Sequence, residues 1–136
     1  MQPLTLWRIQ MEQKLTEILK KILANPDLIG QTYRSENEYY FRFKEVAMSI
    51  FRAFDRDAKF GPYSFYIYPK WNDSLEDLAH ISSLGNLEEA DMDMISYHIG
   101  QCKDSEASKY FEPLFKLMQK KHSKIDIEDV FRKILE

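Results

Sequence analysis

The chain has 136 residues, of which 44% are hydrophobic and 30% are charged, and its net charge is −3. This length and composition predict one globular domain over residues 1–136 and exclude an intrinsically disordered protein. The apolar runs are far shorter than the roughly 20 residues of a membrane-spanning helix, and the single cysteine, Cys102, excludes an internal disulfide framework.

The first predicted element is an amphipathic helix over residues 4–23. Its apolar side chains recur at steps of three or four, the period of a helix with one buried face. They are Leu4, Trp7, Met11, Leu15, Ile18 and Ile22. Asn25-Pro26 ends this helix, because the residue before a proline is driven out of helical geometry.

Residues 35–55 predict a second helix. Ser35 and Glu38 have the spacing of a capping box, in which each side chain satisfies a backbone donor at the start of a helix. The apolar residues that follow also fit a helical period: Tyr39, Tyr40, Phe43, Val46, Ala47, Ile50, Phe51 and Phe54. Because this stripe is wide and aromatic, we expect the helix to lie at the centre of the core.

A strand is predicted over residues 63–68. The segment is aromatic and β-branched and is bounded by Gly61-Pro62 and Pro69, which is typical of a strand. A single strand cannot satisfy its own backbone groups. Residues 93–99 fit both a helix and a strand, and we assign them to a strand because 63–68 need a partner. The alternative partner is a strand of another chain.

Two helices are predicted on either side of residues 93–99. Asp73 or Ser74 caps the first, and Gly85 ends it. The second covers residues 105–121, and Pro113 kinks it or marks a new start.

The last predicted helix opens at Asp126 and points Val130, Ile134 and Leu135 inward. The expected fold is therefore α+β and predominantly α-helical. It has about five helices around a small sheet of one or two strands, 63–68 and 93–99.

The charge of the chain is concentrated in residues 71–108. This segment holds nine carboxylates and one basic residue, Lys103, and therefore has a net charge of −8. Thirty-two residues between Lys70 and Lys103 contain no Lys or Arg. A negative field of this kind favours basic partners and repels the phosphates of nucleic acid.

The sequence therefore predicts a non-catalytic protein–protein interaction module, of the inhibitor or immunity-protein type, that engages a basic partner through residues 71–108. Tyr and Trp are favoured at interfaces, which adds Trp71 to the candidate contacts. The predicted contacts are Trp71, Asp73, Glu76, Asp77, Glu88, Glu89, Asp91 and Asp93. No metal, cofactor or membrane is expected, and the expected location is the cytoplasm.

Two alternatives remain open from the sequence. One is a small hydrolase or metal-dependent nuclease that uses carboxylates with His80 or His98 as general acid or base. Asp57-Ala58-Lys59, with Glu38 or Glu45 upstream, faintly matches the acidic-x-Lys arrangement of such nucleases. The other is a self-associating scaffold, a homodimer in which the strand 63–68 pairs with its counterpart in a second chain.

Overall fold

The chain folds around an antiparallel sheet whose five described strands lie side by side in chain order. The computed structural model describes residues 3–53, 61–85, 93–101 and 105–136, without the side chains of residues 3–9 and 125–126. The elements are α1 (Pro3–Ala24), β1 (Ile29–Ser35), β2 (Glu38–Phe43), β3 (Val46–Arg52), β4 (Tyr63–Tyr68), α2 (Leu75–Ser83), β5 (Ile95–His98) and α3 (Phe111–Leu135). No described helix is long and apolar enough to cross a membrane.

The prediction of about five helices around one or two strands is wrong, chiefly because residues 35–52 form β2 and β3 instead of a helix. Ser35 and Glu38 face each other across a two-residue turn, so they are a cross-strand pair and no capping box. β2 and β3 bury side chains on both faces, which produces runs of adjacent apolar residues. Such runs match the helical period by coincidence.

The strand predicted over residues 63–68 is confirmed as β4. It pairs on one side with β3 and on the other with β5, which lies inside the assigned segment 93–99. Because both edges of β4 are occupied within the chain, this strand cannot pair with a second copy. Pairing of this strand between two chains, on which the scaffold hypothesis relied, is therefore excluded.

The predicted ends of α1 and α2 are confirmed. α1 stops before Asn25-Pro26, and the Ser74 hydroxyl caps α2 by accepting from the backbone N–H of Asp77 at 3.1 Å. Gly85 follows α2 with a φ of 71°, a left-handed conformation that glycine adopts without strain.

The two helices predicted near the C-terminus are one helix, α3, which runs through Asp126 without a break. Pro113 lies in its first turn, where the missing N–H of a proline removes no helical hydrogen bond. No glycine or proline follows within the helix, so nothing in its sequence ends it near residue 126.

The sheet has two unlike faces. α1 and α3 cover one face and form the main core with the apolar residues of β2, β3 and β4, such as Phe41, Ile50 and Phe65. The shorter α2 covers part of the other face, where Leu75, Leu78 and Ala79 pack against Tyr40, Ala47 and Tyr68. We call this second face the α2 face. The part of this face that α2 leaves uncovered carries polar residues.

Candidate functional site

The structure describes five of the eight predicted contacts of the acidic segment. Among the described residues, Asp73, Glu76, Asp77 and Asp93 are exposed, whereas Trp71 is half-buried beside α2 and donates its indole N–H to the Ser74 carbonyl at 3.0 Å. Glu88, Glu89 and Asp91 lie outside the described residues. Trp71 therefore packs beside α2, and only part of its side chain is exposed for a contact with a partner.

Two basic residues reach the acidic segment from the sheet. The Lys70 ammonium lies 2.6 Å from the Asp93 carboxylate, and the Arg42 guanidinium donates to the backbone carbonyls of Trp71 and Asp73. These contacts offset part of the negative field. The carboxylates of Asp73, Glu76 and Asp77 form no ion pair with any described residue and remain exposed negative groups of this surface.

The distal half of α3, residues 123–135, carries an exposed apolar stripe that sequence reasoning missed. Val130, Ile134 and Leu135 were expected to point inward. Together with Ile127 and Phe131 they are instead between 52% and 85% exposed. The described side chains of α3 that are buried all lie in its first half, from Phe111 to Met118. The helical spacing was readable in the sequence, but it does not show that the helix extends past the sheet.

A second feature is a half-buried carboxylate on the α2 face, whose hydrogen-bond network the sequence did not indicate. Glu38 accepts hydrogen bonds from the Tyr40 hydroxyl at 2.8 Å and from the Ser49 hydroxyl at 2.7 Å. Ser49 also lies 3.0 Å from the Tyr68 hydroxyl. We call Glu38, Tyr40, Ser49 and Tyr68 the Glu38 network. Glu38 and Tyr40 share one face of β2 because alternate residues of a strand point to the same side, and the assignment of this segment to a helix concealed that relation.

Burial governs the ionisation of this network. It raises the pKa of Glu38 above its ordinary value, and the hydrogen bonds from Ser49 and Tyr40 oppose this shift only in part. Burial and the nearby Glu38 charge also raise the pKa values of Tyr40 and Tyr68, so both hydroxyls remain neutral donors. A carboxyl group with a raised pKa in a cleft is a recognised sign of a functional site.

The three histidines are not gathered around this carboxylate. His98 bonds the Ser64 hydroxyl at 2.7 Å between β4 and β5, and burial lowers its pKa. His80 is exposed beside Glu76 and Asp77 in a shallow depression. His122 lies against Tyr39 on the opposite face of the sheet. The described residues hold no group of three His, Cys, Asp or Glu that could bind a metal. Asp57-Ala58-Lys59 lies outside them.

Comparison with known protein families, curated proteins and solved structures finds no match for this chain.

Proposed function

We propose that this protein is a non-catalytic protein–protein interaction module whose docking element is the distal half of α3. The observation that carries this proposal is the exposed stripe. Its members follow one another at sequence steps of three, one, three and one, which places them on one side of the helix. They are Ile127, Val130, Phe131, Ile134 and Leu135.

Such a stripe fits a known mode of recognition. Exposed apolar patches that are contiguous, unlike single exposed apolar residues, commonly mark interaction sites. An amphipathic helix that lays its apolar side into a groove of another protein uses anchors at this spacing. The distal half is about 20 Å long at 1.5 Å per residue, enough for such a groove.

The partner we propose is a protein with a basic surface, as the sequence predicts. Glu76 and Asp77 supply exposed negative charge, and the acidic segment has a net charge of −8. Opposite charges on two proteins chiefly accelerate their encounter, and salt weakens this effect. An inhibitor or immunity-type protein that must find a basic target quickly would benefit from this arrangement.

The test is capture of the partner from the native host by the full chain and by Ile134→Asp. The substitution places a charge in the centre of an apolar contact, so we expect the affinity to fall by about tenfold or more. Lys133→Asp is the matched control, since it adds the same group beside the stripe. Equal loss in both variants, or in neither, would refute the docking role of α3.

The salt dependence tests the acidic contact separately. We expect the association rate with the captured partner to fall as NaCl concentration rises, and the double variant Glu76→Gln/Asp77→Asn to flatten this dependence. An association rate that is insensitive to salt would remove the basic partner while leaving the α3 docking helix in place.

A second candidate is self-association through the same stripe, and the order of charges favours it. Glu128 and Asp129 precede Arg132 and Lys133 along the helix. Two copies packed antiparallel about Val130 would place the acidic residues of one opposite the basic residues of the other. Sedimentation of the wild type as a dimer and of Ile134→Asp as a monomer would support this candidate. A monomeric wild type would exclude it.

A further inference from the structure

A cleft of about 260 Å³ opens on the α2 face beside the Glu38 network. It is formed by three neighbouring strands, the end of α2 and the residue before β5: Glu38, Phe51, Tyr66, Tyr68, Ser82 and Met94. The distal half of α3 contributes no residue to this cleft. Ligand binding in the cleft is therefore separate from the docking role of α3.

The carboxylate of Glu38 retains acceptor capacity toward the cleft. Each of its oxygens accepts one bond from a neutral hydroxyl of Tyr40 or Ser49. An ionised carboxylate offers about four acceptor positions, so about half remain available. None of the described lysines, arginines or histidines forms an ion pair with it. The cleft thus presents a negative group for which the described part of the chain supplies no compensating positive charge.

The walls of the cleft are largely aromatic. Tyr66 stacks on Tyr68 at 6.4 Å between ring centroids and meets the His98 ring edge-on at 6.0 Å, so the surrounding rings hold it in place. The negative face of an aromatic ring attracts cations. Phe51 and Met94 add apolar surface that is suited to the carbon atoms of a ligand.

These groups exclude two classes of ligand. The Glu38 carboxylate repels anions. A hard metal ion such as Ca²⁺ requires six to eight oxygen ligands, whereas Glu38 is the one carboxylate among the described residues that line this cleft. A small cation that carries both N–H donors and carbon surface satisfies the acceptors and the rings together.

We propose that this cleft binds a small organic ammonium ion, whose N–H group donates to Glu38 and whose carbon chain packs against Tyr66 and Met94. The bound positive charge compensates the half-buried carboxylate, to which no described residue supplies a counterion. The surrounding acidic segment attracts the same kind of ligand from solution.

The experiment is an NMR titration of the full chain with n-butylammonium chloride, and with n-butanol as its neutral counterpart of similar shape. We expect saturable shifts of the Glu38, Phe51 and Tyr66 amides with the amine, and binding at least about tenfold weaker with the alcohol. Absence of saturable shifts with the amine, or equal affinity for amine and alcohol, would overturn the proposal.

Two variants locate the bound cation. Glu38→Gln keeps the shape of the side chain and removes its charge, so we expect the affinity for n-butylammonium to fall by about tenfold. Glu36→Gln, the same change at an exposed turn residue, should leave it unchanged. Tyr66→Leu, which removes the ring face, should weaken binding about threefold. An affinity of Glu38→Gln for n-butylammonium equal to that of the wild type would overturn the proposal. If Glu38→Gln fails to fold, wild-type affinity in Tyr66→Leu would overturn it instead.

Discussion

The turn between β2 and β3 holds two residues in a left-handed conformation, Lys44 at φ 50° and Glu45 at φ 69°. Two-residue hairpin turns of this kind favour Asn-Gly, because a Cβ makes positive φ unfavourable by about 1–2 kcal/mol. We expect Glu45→Gly to raise the free energy of unfolding by about 0.5–1 kcal/mol, since relief of strain exceeds the added flexibility of glycine. Urea denaturation measures the difference. Glu17→Gly, within α1, should instead lower stability by about 1 kcal/mol.

The raised pKa of Glu38 makes the free energy of unfolding depend on pH, and burial of the carboxyl group determines the direction of this dependence. Its pKa in the folded protein is raised above the ordinary 4.5, so the folded protein holds this proton more tightly than the unfolded chain. Stability attributable to Glu38 is therefore highest below 4.5 and decreases as the pH rises through the raised pKa. Above the raised pKa, the contribution of Glu38 to stability is absent.

We expect Glu38→Gln to remove this dependence, because an amide does not ionise in this range. The free energy of unfolding of the variant, relative to the wild type, should rise between pH 4.5 and neutral pH. Urea denaturation across that interval tests this, with Glu36→Gln as the exposed control. A constant difference between variant and wild type at every pH would contradict the raised pKa of Glu38.

At the scale of elements, the sequence predicted the boundaries that local chemistry fixes. Proline after Asn25, the Ser74 hydroxyl and Gly85 each act on their own backbone, so the ends of α1 and α2 were readable. β2 and β3 were not readable, because both of their faces are covered and their apolar residues do not alternate with polar ones. Their turns also lack the Asn-Gly or Asp-Gly pair that marks a hairpin.

The candidate sites were predictable to a different extent. The acidic residues are visible in any count of charges, but the ion pair between Lys70 and Asp93 depends on how the strands are placed. The Glu38 network requires side chains of β2, β3 and β4 to share one face, which no local pattern specifies once β2 is assigned to a helix.

α3 combines a buried first half with an exposed second half, and substitutions should distinguish them. Leu114 is fully buried, whereas Ile134 is 72% exposed. We expect Leu114→Ala to lower the free energy of unfolding by about 2–5 kcal/mol through the cavity it leaves. Ile134→Ala should change it by less than about 0.5 kcal/mol. Thermal or urea denaturation followed by circular dichroism compares them, and a large loss in Ile134→Ala would show that the distal half belongs to the core.

At the scale of the whole molecule, the two layers on the sheet differ in size. Among the described residues, the cluster between the sheet, α1 and α3 contains seventeen buried apolar side chains, whereas the cluster beneath α2 contains six. Burial of apolar area is the main favourable term in folding. The layer with less buried area has less to lose on opening, so α2 should detach from the sheet before the sheet itself unfolds.

Native-state hydrogen exchange tests this unequal stability. We expect amide protons of α2, residues 78–83, to exchange through a partial opening whose free energy is lower than that of β2, β3 and β4 by on the order of 2 kcal/mol. Leu78→Ala should weaken protection in α2 and leave the central strands close to the wild type, because Leu78 packs only in the smaller cluster. If α2 and the central strands exchanged with one common free energy, the two layers would unfold as a single unit. The cleft beside Glu38, which Ser82 of α2 borders, would then be as rigid as the core.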